Sequence, residues 1–350
     1  MITMLSQLKR FLLLLPETLL FGATYARFLY RSRSTQPLEP QETWDYFTKP
    51  QHPFVEWFYA NYPPSFFRRL FRDVYYRQSF SFKEHQVGIS EHYDISNKFY
   101  QLFLDKTYMF YSAGDFINAT DTLEDAQENK ANYLLNLIHP QPEEKILELG
   151  CGWGAMLKKI HKQTSHADTL YGYTLSQAQK NFIDEQYGFN VELKNFITLD
   201  YEANAFDTIF SIGSIEHVRE NELLPLCQNL SKALKPSGKL VHQFFCQMED
   251  VIPTRLIAVA LNIFPGSELT SFKKHLDIFE QANLKVIHHS IHDYRPTLEA
   301  WFNRLVANQT AAIELVGVQN YNKYQCYLAE AWRLFNDRDL MLMRFVLKKP

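Results

Sequence analysis

No Cys-x-x-Cys pair occurs in this chain. Its four cysteines, Cys151, Cys227, Cys246 and Cys326, stand far apart. That spacing implies neither a disulfide framework nor a zinc site, and a reducing cytoplasm is the simpler home. No sign of charge dominates either: the net charge is -3 and the isoelectric point about 6.5, without the basic excess that marks a nucleic-acid binder. A clean run of the roughly 20 apolar residues needed to span a bilayer is also missing, because Pro16 and Glu17 separate Phe11-Leu12-Leu13-Leu14-Leu15 from Leu19-Leu20-Phe21. What is present is a globular composition, 46% hydrophobic and 21% charged over 350 residues. That length suits one large domain or a domain with an appendage. The 28 Phe and 20 Tyr supply core and suggest aromatic-lined apolar cavities.

Charge is unevenly spread. Residues 1–38 carry Lys9, Arg10, Arg27, Arg31 and Arg33 against the single acid Glu17. Such a basic, apolar segment suits an anionic membrane surface or a partner helix. It equally suits a helix packed on the domain, or an anchor or signal peptide, although the cleavage context near Ala23 to Ala26 is poor. Pro37, Pro40, Pro50, Pro53, Pro63 and Pro64 then predict an irregular connection with one short helix around Val55 to Tyr62. Ser65 to Arg77 reads as an amphipathic basic helix, with apolar residues at 66, 67, 70, 71 and 74.

The most specific stretch is Lys145-Ile146-Leu147-Glu148-Leu149-Gly150-Cys151-Gly152-Trp153-Gly154. Its apolar run predicts a strand buried on both faces, and Ala155 to Ile160 predicts a helix. The glycines between them suit backbone at positive φ with a ligand lying directly against it. The pattern is not the G-x-G-x-x-G of a dinucleotide fold. An acid precedes the first glycine by two residues, which suits a ligand bearing an ammonium group, such as the amino-acid end of S-adenosylmethionine.

Glu91-His92-Tyr93-Asp94-Ile95 through Asp105, Met109-Phe110-Tyr111-Ser112-Ala113-Gly114-Asp115-Phe116, the glycine turn, Tyr173 to Gln179, Phe206 to Val218, Leu240-Val241-His242 and Ile263 to Leu269 together closely resemble the cyclopropane fatty acid synthase family of S-adenosylmethionine-dependent enzymes. That family is related to mycolic-acid methyltransferases and to coclaurine-type N-methyltransferases. The resemblance runs from about residue 85 to the end. It implies an α/β fold, a seven-stranded Rossmann-like class I methyltransferase sheet over 85–350, behind an N-terminal helical extension over 1–84. Apolar stretches at 145–149, 169–174, 190–196, 206–212, 238–245, 284–291 and 340–348 fit its strands. Ligands should lie at the strand ends marked by Gly150, Thr174, Asp200, Gly213 and Phe244.

The resemblance also assigns roles. Gly150, Gly152 and Gly154 would take the methionine half of the cofactor with Glu148 nearby, Tyr111 and Ser112 would close over its carboxylate, and Gln179 would meet the ribose. Ser176-x-x-Gln179 is also a helix capping box. Asp200 is either an acceptor for the adenine amino group or a solvated loop acid. A bound bicarbonate base would be held by Glu216, His242 and Tyr327. Its usual fourth partner is a cysteine, and here Tyr111-Ser112-Ala113 puts alanine in its place, leaving only the backbone amide. His217 matches a catalytic histidine of the N-methyltransferase branch. Three readings follow: methyl or methylene transfer to an unsaturated acyl chain of a phospholipid or similar acceptor, methyl transfer to a hydrophobic amine, or a non-catalytic binder of cofactor and lipid. The first implies a cytoplasmic enzyme, peripheral on the membrane's inner face. No metal and no nucleic acid are expected, and the sequence leaves the oligomeric state open.

Overall fold

The structure is a computed structural model and describes residues 15–50, 97–248 and 269–350, with 53, 56, 250, 255, 256, 259 and 262–264; over 15–23 it describes the backbone only. The basic helix expected at 65–77 and the His92-Tyr93-Asp94 block lie outside the described residues. So does the short helix expected around Val55 to Tyr62, apart from Glu56, which is helical.

In chain order the elements are α1 (Leu15–Ser32), α2 (Pro40–Thr48), α3 (Asn97–Gln101), α4 (Leu123–Ile138), β1 (Ile146–Leu149), α5 (Ala155–Thr164), β2 (Leu170–Thr174), α6 (Gln177–Gln186), β3 (Asn190–Leu193) and β4 (Phe206–Ile212). After a single 3-10 turn (Ile215–His217) come α7 (Glu220–Ala233), β5 (Leu234–Gln247), α8 (Phe272–Gln281), β6 (Lys285–His292), α9 (Arg295–Ala307), α10 (Gln309–Asn336) and β7 (Leu340–Lys348). The strands form one seven-stranded sheet in the order β3-β2-β1-β4-β5-β7-β6. β1 pairs in parallel with β2 and β4, and β7 runs antiparallel to β5 and β6. This is the class I methyltransferase sheet, with each expected strand present.

The apolar runs explain the layering. β1 is buried at all four positions, as a central parallel strand covered on both faces must be. One face packs Leu147, Ile209, Leu240, Phe244 and Phe345 against Leu223, Leu230, Ile278 and Phe279 of α7 and α8. The other packs Ile146, Leu170, Phe210, Val241 and Val346 against Ala131, Leu134, Leu157 and Ile160 of α4 and α5. Each fully buried aliphatic side chain of this kind contributes about 1.5–3 kcal/mol relative to exposure. Alternation along β5 thus sends residues 240, 242 and 244 to one side and 241, 243 and 245 to the other.

α1 and α2 pack on α10, where Phe28 and Phe47 join Cys326, Ala329 and Leu334. The guanidinium groups of Arg27 and Arg31 lie 4.5 and 4.3 Å from the centre of the Tyr46 ring, a stabilising cation–π geometry. Part of the basic charge of residues 1–38 is therefore spent on packing. Among the described residues no helix is long and apolar enough to cross a membrane.

Candidate active site

The cleft opens where β1, β2 and β4 end. The amides of Gly150 and Cys151 both donate to the Tyr173 carbonyl at 2.9 Å, which folds the chain sharply off β1. Gly150, Gly152 and Gly154 all have positive φ (74, 52 and 74°), but for different purposes. A Cβ on Gly150 would lie 2.7 Å from Ser214 Cβ, and one on Gly154 would lie 3.1 Å from Ile183, whereas Gly152 faces open space. Gly150 and Gly154 thus permit close packing, with Gly154 forming the N-cap of α5 outside the cleft lining. Gly152 leaves bare backbone for a ligand.

The cleft, counted with its open mouth, spans about 1120 Å³ and is lined by Glu148, Gly150, Gly152, Thr174, Gln179, Tyr111 and Ser112 of the expected cofactor set. Glu148 is buried, and its Oε2 has no hydrogen-bond partner among the described residues. Burial pushes its carboxyl well above the usual range, with only the nearby Lys130 charge opposing the shift. A buried carboxyl left this way calls for a donor or cation, and the ammonium of S-adenosylmethionine fits that need. Gln179 Oε1 accepts a 2.7 Å hydrogen bond from Thr174 Oγ1. Ser176 caps α6 by accepting from the Gln179 amide. The glutamine side chain is thereby turned into the cleft instead of back onto the cap.

The lid of the cleft is the segment 110–114, and buried groups pin it. Gln127 Nε2 donates to the Ser112 carbonyl (2.8 Å), Lys130 Nζ to Ser112 Oγ (2.9 Å) and the Gly114 amide to Thr297 Oγ1 (3.0 Å). Lys130 is fully buried over the Phe110 ring at 3.5 Å, and burial lowers its pKa despite the neighbouring carboxylates of Asp105, Asp115 and Glu148.

Beyond the lid lies a small chamber lined by Tyr111, Ala113, Gly213, Glu216, His217, Gln243, Phe245 and Tyr327. Glu216 and His217 sit in the 3-10 turn after β4 and Tyr327 comes from α10, so sequence-distant residues meet here. Burial drives the Glu216 carboxyl up to about 8 and the Tyr327 phenol up to about 12, the neighbouring Tyr111 opposing the second shift. The chamber adjoins a mostly apolar pocket lined by Leu256, Val259, Leu298, Leu334, Phe335 and Leu340, with Glu216, His217 and Tyr327 shared between the two.

Besides Gly154, two expected site residues are not gathered here. His242 points to the opposite sheet face, where its Nδ1 lies 2.7 Å from Ser211 Oγ. Burial, reinforced by His275, lowers its pKa to about 3, so it is a neutral core histidine outside the chamber. Its neighbour Gln243 lines the chamber instead. Asp200 has an 89% exposed side chain, pairs with Lys232 at 2.7 Å and lies outside the cleft lining, where Asn195, Phe196 and Ile197 take that edge. The residues missed by sequence reasoning are Lys130, Gln243, Asp115 and Arg344. Of these, only Asp115 lay in a motif, and nothing there marked it out.

A family model for mycolic acid cyclopropane synthetase matches residues 80–345. The chain is 28% identical over 271 residues to a probable fatty acid methyltransferase of Mycobacterium tuberculosis, a match covering 75% of this chain and 62% of that protein's length. It is also 28% identical over 288 residues to cyclopropane mycolic acid synthase 1 of the same species, covering 76% of this chain and 98% of that one. Among solved structures, the mycolic acid cyclopropane synthase CmaA1 complexed with SAH and CTAB superposes with a TM-score of 0.69 at 25% identity, over 76% of this chain and 98% of that chain.

Proposed function

Because the chain belongs to the mycolic acid cyclopropane synthetase family and is a methyltransferase that uses S-adenosylmethionine, we propose that it transfers the methyl carbon to an unsaturated acyl chain of a lipid. The observation that carries this reading is continuity. The cofactor cleft shares Tyr111, Gly213 and His217 with the chamber of Glu216 and Tyr327, and that chamber in turn shares Glu216, His217 and Tyr327 with a cavity whose other walls are apolar. The CTAB of the CmaA1 complex, a long-chain amphiphile, supports the same reading.

The residues divide the work. Gly152, Glu148 and Gln179 hold the cofactor, and Tyr111 and Ser112 cover it. Bound there, S-adenosylmethionine supplies an activated methyl electrophile, and bicarbonate, if held in the chamber, supplies a base. The protein's contribution is alignment and exclusion of water. Methyl transfer from such a donor to an alkene would place positive charge on the acyl chain, and a proton would then have to leave to a base in the chamber for the net gain to be one CH2. The ring faces of Phe245, Phe264 and Tyr327 stabilise that charge. Glu216, Tyr327 and the backbone amide of Ala113 would hold the small anion. The missing thiol at Ala113 leaves the cofactor cleft intact and removes one polar wall of that chamber. The basic, apolar N-terminal residues would bring the enzyme to a bilayer surface.

The reading is tested with purified protein, labelled cofactor and vesicles of monounsaturated phospholipid. Lipid that gains one CH2 at the double bond supports it. Unmodified lipid together with methylated hydrophobic amines overturns it.

A further inference from the structure

Asp105 is fully buried just before the segment that covers the cleft. Among the described residues, the hydrogen bonds of its carboxylate all go to three consecutive backbone amides. Oδ2 accepts from Tyr108 (2.6 Å) and Met109 (3.2 Å), and Oδ1 accepts from Phe110 (2.9 Å). The Met109 amide also reaches the Asp105 carbonyl at 3.2 Å. Met109 sits at a φ of 54°, left-handed backbone that brings a side-chain Cβ too close to the following carbonyl. Asp105 is itself held in place. Arg304 Nη1 donates to the Leu104 carbonyl at 3.1 Å, Glu124 Oε1 accepts from the Lys106 amide at 3.2 Å, and Arg304 and Glu124 pair with each other. Residues 108–112 all line the cofactor cleft.

We propose that Asp105 is a positioning residue for the cofactor, holding Met109 in the left-handed conformation that turns Tyr111 and Ser112 over the cleft. A buried carboxylate is costly unless hydrogen bonds compensate it, and charge-assisted bonds are about twice as strong as neutral ones. Three of them converge here on the strained turn and offset its cost. Asparagine has one acceptor oxygen and would set its own NH2 against an amide N–H, so it cannot hold all three. Strain of this kind persists where the surrounding structure fixes it, as at ligand clamps. The φ at 109 sets the direction of the chain that follows, so relaxing it loosens Tyr111 and Ser112 over the methionine half of the cofactor. Lys130 and Thr297 fix the far end of the segment, at Ser112 and Gly114, and Asp105 fixes the near end. The inference concerns capture of the cofactor and is independent of which acceptor is methylated.

The test is calorimetric binding of S-adenosylhomocysteine to the full chain in wild type, Asp105→Asn, Met109→Asn and Met109→Val. Asparagine tolerates left-handed backbone, and β-branched valine does not. Binding should weaken about 10-fold, or about 1.4 kcal/mol, in Asp105→Asn and in Met109→Val, and by no more than about 3-fold in Met109→Asn. That order runs against polarity, in which valine is the closer match to methionine. Hydrogen exchange of the 108–110 amides should quicken in Asp105→Asn while the sheet strands keep wild-type protection. Affinity of folded Asp105→Asn within about 2-fold of wild type, whatever its melting temperature, would leave Asp105 a structural residue and overturn the proposal. So would Met109→Val binding no more weakly than Met109→Asn, which would assign any effect to the lost methionine side chain. Should Asp105→Asn fail to fold, the two Met109 variants decide. No acceptor is present in this measurement, so wild-type protein that leaves lipid unmodified would overturn the acyl reading without altering this ranking.

Discussion

His242 Nδ1 and Ser211 Oγ are joined at 2.7 Å across the β4–β5 pair, on the sheet face turned away from the chamber. The folded pKa of His242 is lowered from 6.5 to about 3 by burial and by His275. The unfolded chain therefore binds the extra proton between those values, and the stability tied to neutral His242 is present above about 6.5 and lost as pH falls toward about 3. His242→Gln should flatten this acid limb in thermal melts and keep at least about half of wild-type turnover. Loss of turnover at unchanged melting temperature would return His242 to the chemistry.

Glu216 carries the opposite sign. Its folded pKa is raised from 4.5 to about 8 by burial, so its contribution to stability is full below about 4.5 and is lost as pH rises through about 8. Glu216→Gln should lose the Glu216 share of the pH dependence over that window, keep the His242 acid limb, and be more stable than wild type at the window's upper end. Its turnover should fall by about 100-fold, the scale of removing one preorganised group at a reacting centre. Affinity for S-adenosylmethionine by calorimetry should change less than about 2-fold.

The glycines of the turn should separate by assay. Gly150→Ala forces a Cβ to 2.7 Å from Ser214 at a φ of 74° and should destabilise the fold by about 1–3 kcal/mol of overpacking on top of a positive-φ penalty of about 1–2 kcal/mol. Gly152→Ala meets open space and should cost only the positive-φ penalty of about 1–2 kcal/mol, yet it should weaken cofactor binding by about 10-fold or more. Equal cofactor affinity in Gly152→Ala and wild type would remove that backbone from the binding surface.

Asp200→Ala removes an exposed ion pair with Lys232. Such pairs contribute about 0–1 kcal/mol, so both stability and cofactor affinity should stay close to wild type. A drop of about 10-fold in cofactor affinity would place Asp200 at the adenine after all.

Deleting residues 1–14 should weaken binding to anionic vesicles, and the difference should shrink as salt is raised, because exposed charges are screened within about 10 Å at 0.1 M. Binding that is unchanged at low salt would remove the segment from the membrane contact.

The sequence by itself determined the sheet, the glycine turn and most of the named residues that line the cleft. These depend on local rules, in which an apolar run of strand length, a corner needing positive φ and a following helix are each written in consecutive residues. Glu148, Gly152 and Thr174 lie at or within a few residues of strand ends, where the strand pattern points, while Gln179 is singled out by the family resemblance; all four line one cleft. The tertiary structure decided which residues share the chamber. Leu240 to Cys246 is apolar on both faces, so no two-residue period tells whether His242 or Gln243 looks inward. Only the pairing of β5 with β4 and β7, and the helices covering each face, settle that. The hydrogen bonds of Arg344 to Gln243 and to Asp115 join residues more than a hundred positions apart, and a buried arginine in an apolar strand finds its acid only when the sheet closes.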